Sequence, residues 1–128
     1  MVWYLDTSAF LKLITTEDES AAMRSWFSSH ESVWSSQLLR TEALRTGARL
    51  GIDADVIEDA LETVSLVLPS VATYFAAGQL SPPSLRSLGA LHLATALEIG
   101  DDLEGIVAYD ERLSDAARAA SIEVFVPR

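Results

Sequence analysis

Cysteine is absent from this chain of 128 residues, and histidine occurs only twice, at His30 and His92. The first absence excludes disulfides, thiol nucleophiles and cysteine-based zinc sites. The second leaves too few imidazoles for a histidine-rich centre. Any bound metal is therefore expected to be a hard, oxygen-liganded ion such as magnesium or manganese. Positive charge is scarce as well: 9 Lys and Arg stand against 19 Asp and Glu, a formal net charge of −10, and Lys12 is the only lysine. Broad, sequence-independent nucleic-acid binding rests on many phosphate contacts, and this balance argues against it. A nucleic-acid role then needs a local arginine cluster and a metal to offset the field. A basic protein partner is an equally natural complement.

Long uncharged runs are missing too, with one exception. Thr63 to Leu85 holds no charge, but Pro69, Gln79, Pro82 and Pro83 exclude a membrane span. No basic segment precedes Asp6, so no signal peptide is expected, and the protein is expected to be soluble and cytoplasmic. No glycine-rich phosphate loop follows the first apolar run, which argues against a nucleotide-binding fold. An aspartate-nucleophile phosphatase would need a second aspartate two residues after Asp6, where this chain has Ser8.

What is present is organised around Val2 to Leu13. Val2, Trp3, Tyr4 and Leu5 read as a short strand buried on both faces, and Asp6-Thr7-Ser8 then offers helix-capping chemistry. Asp6 thus stands at the carboxyl end of a buried strand, where ligands bind in parallel α/β sheets, although a helix cap explains it equally well. The length suits one domain over residues 1–128, and an apolar fraction of 49% leaves some surface for an interface. Helices are expected over 17–29, 37–50, from Asp53, over 71–77, 85–99 and 111–120. Strands are expected over 32–35, 66–68, 105–109 and 123–126. The alternation predicts a parallel sheet with helices on both faces, and right-handed crossovers put all the strands' carboxyl ends on one side. Asp110 falls there as Asp6 does.

Asp6, Glu42 and Asp110 are the acids placed to do chemistry. Gathered carboxylates raise one another's pKa, and a divalent cation reverses that repulsion. Such a cluster suits Mg²⁺ or Mn²⁺, water activation and charge stabilisation on a phosphate. Ser8 could hydrogen-bond a carboxylate, a water or a substrate, or be no more than a hydroxyl in a first helical turn. Glu42 shares a helix face with Arg45 and Arg49, so an ordinary surface pair with Arg45 also accounts for it. His92 lies in an apolar helix and reads as a packed histidine or one supporting a ligand. Arg40, Arg45, Arg86 and Arg112 are candidates for phosphate contacts, with surface ion pairs as the alternative for each.

The runs YLDTSAFLKL (Tyr4 to Leu13), TEALR (Thr41 to Arg45), LGALHLATAL (Leu88 to Leu97) and YDERL (Tyr109 to Leu113) together resemble the PIN-domain ribonucleases, and more narrowly the VapC toxins of type II toxin–antitoxin pairs. The resemblance covers nearly the whole chain in the family's order. It implies a three-layer α/β/α sandwich with a central parallel sheet and a Mg²⁺-dependent endoribonuclease, with Mn²⁺ able to substitute. A homodimer, a cognate antitoxin and an RNA substrate are also implied. On the family's pattern Asp6, Glu42 and Asp110 match metal-site acids. A further acid, usually aspartate at the start of the LGALHLA segment, is Gly89 here and reads as a vacated ligand position. Glycine inside a helix costs roughly 0.5–1 kcal/mol against alanine, and close helix packing is the other reason for one there. Losing that ligand is expected to weaken metal binding and attenuate cleavage. The competing reading is a catalytically inactive PIN-like module that dimerises and grips its antitoxin through apolar helix surface around Phe10, Trp26 and Phe27.

Overall fold

The computed structural model describes residues 1–128. Five strands form one parallel sheet: β1 (Val2–Leu5), β2 (Val33–Ser36), β3 (Ser65–Val67), β4 (Leu103–Val107) and β5 (Val124–Phe125), in the order β3-β2-β1-β4-β5. The connections are helical: α1 (Thr7–Ile14) and α2 (Ser20–Ser28) before β2, then α3 (Leu38–Leu50) and α4 (Ala54–Leu61) before β3. They continue with α5 (Val71–Gly78) and α6 (Ser87–Ile99) before β4, and α7 (Glu111–Ala119) before β5. The fold is a three-layer α/β/α sandwich. No helix is long and apolar enough to cross a membrane.

Pleating of the central strands divides the core in two. Leu5 and Val107 point to the face covered by α1 to α4, where they meet Phe10, Met23, Leu39 and Ile57. Tyr4 and Ile106 point to the other face, against Leu93 and Ala96 of α6 and Leu113 and Ala117 of α7. Successive residues of buried strands face opposite layers, so an apolar run without polar interruption is what such a strand requires. At Gly105 the ring of Trp3 and the Glu123 carbonyl oxygen lie 2.6 and 2.7 Å from where a Cβ would stand, so no side chain fits. Gly100 ends α6 at φ +71, a conformation glycine adopts without steric cost.

Several boundaries differ from the periodicity. β4 ends at Val107, leaving Ala108 and Tyr109 as a link to Asp110. α6 opens at Ser87, so Leu85 precedes the helix and Gly89 is its third residue. Gly78 is the last residue of α5, and Gln79 caps it. The apolar docking surface expected around Phe10, Trp26 and Phe27 is largely taken up by the core: Phe10 is fully buried, Trp26 nearly so, and the half-buried Phe27 packs against the same cluster. Amphipathic spacing alone could not tell an inward face from a free one. Among the exposed large apolar side chains, Leu68, Val71, Tyr74 and Phe75 fall close together in the chain, at and before α5.

Candidate active site

In the strand order, chain connections leave β1 toward β2 on one side, and β4 continues to β5 on the other. The crevice above β1 and β4 is therefore the topological switch point of the sheet, the usual ligand site of open α/β folds. A pocket of about 550 Å³ opens there, and Asp6, Ser8, Glu42, Gly89 and Asp110 all line it. Each acid is carried by a different element, which is why sequence spacing alone could not bring them together.

Asp6 caps α1. Its Oδ2 accepts from the Ser8 amide at 3.2 Å and the Ser8 hydroxyl at 2.6 Å. Ser8 Oγ in turn accepts from the Tyr109 amide at 2.9 Å, tying the start of α1 to the link after β4. The hydroxyl is thus committed to holding Asp6 in place. Asp110 caps α7, with Oδ1 accepting from the Leu113 amide at 3.1 Å. Glu42 projects from α3, and its Oε1 accepts from Thr7 Oγ1 at 2.8 Å and from His92 Nε2 at 2.7 Å. The pair with Arg45 does not form. In all three acids one oxygen is anchored by the protein while Asp6 Oδ1, Glu42 Oε2 and Asp110 Oδ2 make no hydrogen bond, Asp6 Oδ1 lying 3.9 Å from His92 Nε2.

Burial raises the Asp6 carboxyl above its ordinary value, more than the nearby His92 ring and the two Ser8 bonds lower it, and the neighbouring Glu42 pushes the same way as burial. A buried acid with this penalty is a group awaiting positive charge. Three helix starts supply some: α1, α6 and α7 all begin at the pocket, with their dipoles' positive ends toward it. The start of α6 has no side-chain cap, so amides of its first turn remain available to an anion. Arg45, Arg49 and Arg86 form a basic rim. Arg49 is not singled out for phosphate by the sequence, although its place one turn after Arg45 on α3 is the signal that finds it. Arg40 and Arg112 do not line the pocket, and Arg40 pairs instead with Glu58 of α4.

Gly89 faces the same space. A Cβ there would meet only the Leu85 side chain, at 3.2 Å from Cδ1, so no helix packing demands glycine. The oxygen donors suit a hard divalent cation. As they stand, no three acid or imidazole groups are close enough together to grip one.

Residues 3–119 match the PIN domain family. The chain belongs to the PIN-domain family. It is similar to ribonuclease VapC46 of Mycobacterium tuberculosis (strain ATCC 25618 / H37Rv), 38% identical over 97% of this chain and 96% of that protein. Ribonuclease VapC47 of strain CDC 1551 / Oshkosh is 36% identical over 90% of this chain and 89% of its own, and ribonuclease VapC35 of the same strain is 36% identical over 97% and 96%. This PIN domain is therefore VapC-like. The structure adds residues that spacing and periodicity leave out: Thr7, which lines the pocket and whose hydroxyl reaches Glu42, and the buried Tyr4, whose hydroxyl lies 2.7 Å from His92 Nδ1. Nothing local marks either one, because the partners are 35 and 88 residues away.

Proposed function

We propose that this protein is a toxin component of a type II toxin–antitoxin pair, a metal-dependent endoribonuclease hydrolysing RNA phosphodiester bonds, formed by one domain over residues 1–128. The observation that carries the reading is the convergence of Asp6, Glu42 and Asp110 on one pocket, each with an oxygen that makes no hydrogen bond, beside a rim of arginines. The similarity to proteins named ribonuclease VapC supports the same substrate class.

Asp6, Glu42 and Asp110 would hold Mg²⁺, with Mn²⁺ able to take its place. When bound, the ion supplies a Lewis acid for the phosphate and lowers the pKa of a water. Asp110 is exposed and keeps Oδ2 unbonded while Oδ1 caps α7, whereas Asp6 is buried and fixed by Ser8. Arg45, Arg49 and Arg86 would seat phosphates, because a guanidinium matches two phosphate oxygens at once. The uncapped first turn of α6 would add amide donors beside Arg86. Leu11 and Leu113 supply apolar lining to the same pocket. Gly89 supplies no oxygen, so metal affinity and cleavage are attenuated.

The test is cleavage of structured RNA with Mg²⁺ or Mn²⁺ by this chain and by Asp6→Ala. Loss of cleavage in the variant supports the reading, and full cleavage by it overturns the role of the acids. A second reading, an inactive PIN-like module that binds an antitoxin, is favoured by the donor set short of one acid at Gly89. Normal antitoxin affinity with no cleavage by either this chain or Gly89→Asp would select it. In both readings the exposed apolar face of Leu68, Val71, Tyr74 and Phe75 would bind protein, in a homodimer. A cytoplasmic setting goes with both readings.

A further inference from the structure

His92 is 1% exposed in an otherwise apolar stretch of α6, between Ala90 and Leu93, where a leucine would pack without desolvation cost. Instead both ring nitrogens are used. Nδ1 lies 2.7 Å from the hydroxyl of Tyr4, and Nε2 lies 2.7 Å from Glu42 Oε1 and 3.1 Å from Thr7 Oγ1. A carboxylate can only accept, so the proton between His92 and Glu42 belongs to Nε2. With that proton on Nε2, Nδ1 is the nitrogen left to accept, and the Tyr4 hydroxyl lies in place to donate to it. The chain of bonds runs from the sheet floor, through α6, to a carboxylate on the pocket wall.

We propose that Tyr4 and His92 are positioning residues for Glu42, anchoring its Oε1 so that Oε2 is presented to the pocket. The inference rests on the proposed metal-binding role of Glu42. A histidine that served packing alone would need no aligned partner on each nitrogen, nor a carboxylate at its pocket end. Tyr4 sets the ring's tautomer and tilt, His92 transmits them, and Thr7 adds a second donor to the same oxygen. Removing such support beyond a metal's own ligands weakens metal affinity by about 10–100-fold in other metal sites.

The experiment is calorimetric titration of the full-length chain with Mn²⁺ alone, for the wild type, His92→Leu, His92→Gln, Tyr4→Phe and the Tyr4→Phe/His92→Gln double variant. Melting temperatures in EDTA identify any variant that fails to fold. His92→Leu is expected to weaken Mn²⁺ binding by about 10–100-fold. His92→Gln keeps an N–H for Glu42 and recovers most of the loss. Tyr4→Phe gives a smaller loss in the wild-type background and none in the His92→Gln background, since the amide needs no tautomer set for it. If His92→Leu does not fold, the Tyr4→Phe loss and its disappearance in the His92→Gln background decide the matter. Unchanged Mn²⁺ affinity in folded Tyr4→Phe and His92→Leu overturns the proposal while leaving the metal site standing. A wild type that binds no Mn²⁺ overturns the metal reading itself, and the positioning role with it.

Discussion

Placing an acid at position 89 tests the pocket most directly, because the structure separates the terms involved. Gly89 is the third residue of α6, with a neighbour only at the Leu85 side chain. Leu85 is partly exposed and can give by the few tenths of an ångström that a Cβ requires. Replacing glycine by aspartate in a helix gains about 0.3 kcal/mol in propensity. A negative charge in the first turn adds about 0.3–1 kcal/mol through the helix dipole. Against these stands repulsion from Asp6, Glu42 and Asp110 across the same pocket. Gly89→Ala takes a propensity gain of about 1 kcal/mol with no new charge. In EDTA at neutral pH, Gly89→Ala is therefore expected to be the more stable of the two variants.

Divalent cation should reverse that order. A fourth acid facing the pocket is expected to tighten Mn²⁺ binding at least about tenfold, about 1.4 kcal/mol. At a free Mn²⁺ concentration one hundred times the dissociation constant, binding stabilises the fold by about 2.7 kcal/mol. For a chain of this size that corresponds to roughly 8–13 °C in melting temperature. The assay is thermal unfolding of the wild type, Gly89→Ala and Gly89→Asp in EDTA and across a Mn²⁺ titration, with RNA cleavage measured alongside. A Gly89→Asp protein that melts below the wild type at every Mn²⁺ concentration, with no gain in affinity, would refute the reasoning. Position 89 would then not be a place from which an acid reaches a bound cation.

Three further outcomes follow from the same geometry. Ser8→Ala removes the donor to Asp6 and leaves the Tyr109 amide without its acceptor, so urea unfolding should show a loss of about 1–3 kcal/mol. Because burial raises the Asp6 pKa above its ordinary value of 3.8, the folded state binds the proton more tightly than the unfolded state. The contribution is favourable below that value and is lost as pH climbs through the raised one, so Asp6→Asn should gain stability relative to wild type over that rise, measured by unfolding in EDTA. Single Arg45→Gln, Arg49→Gln and Arg86→Gln variants should each lower the salt dependence of single-stranded RNA binding by roughly 0.7 in the log–log slope. Arg40→Gln, whose side chain pairs with Glu58 outside the pocket, should leave the slope unchanged.

Much of the architecture is legible in the chain. The unbroken apolar run Val2 to Leu5 can only be satisfied by burial on both faces, and it forms the central strand. Asp6 and Asp110 stand out because capping chemistry after an apolar run is a local signal, and the structure makes each the cap of its helix. The same local rule misplaces boundaries where no cap exists. α6 begins without a side-chain cap, so its periodic pattern runs on into Leu85. Arg40 and Arg112 are drawn in by residue type alone, and type does not tell which helix face meets the pocket.

Glu42 shows where local reasoning stops. On its own helix the nearest complement is Arg45, and an i,i+3 pair is what spacing offers. In the fold its carboxylate faces away from that pair, toward Thr7 on α1 and His92 on α6. Exposed pairs of that kind contribute at most about 1 kcal/mol, whereas bonds to buried partners in a low dielectric are stronger, so the long-range arrangement wins. Tyr4 follows the same logic from the other end. Its ring satisfies the strand pattern as any large apolar residue would, and only its hydroxyl, 2.7 Å from His92, distinguishes it from phenylalanine. A site assembled at a switch point draws its residues from elements far apart in sequence. Each then carries a sufficient local explanation, as a cap, a surface pair or a core residue. The functional assignment therefore depends on their convergence rather than on any one of them.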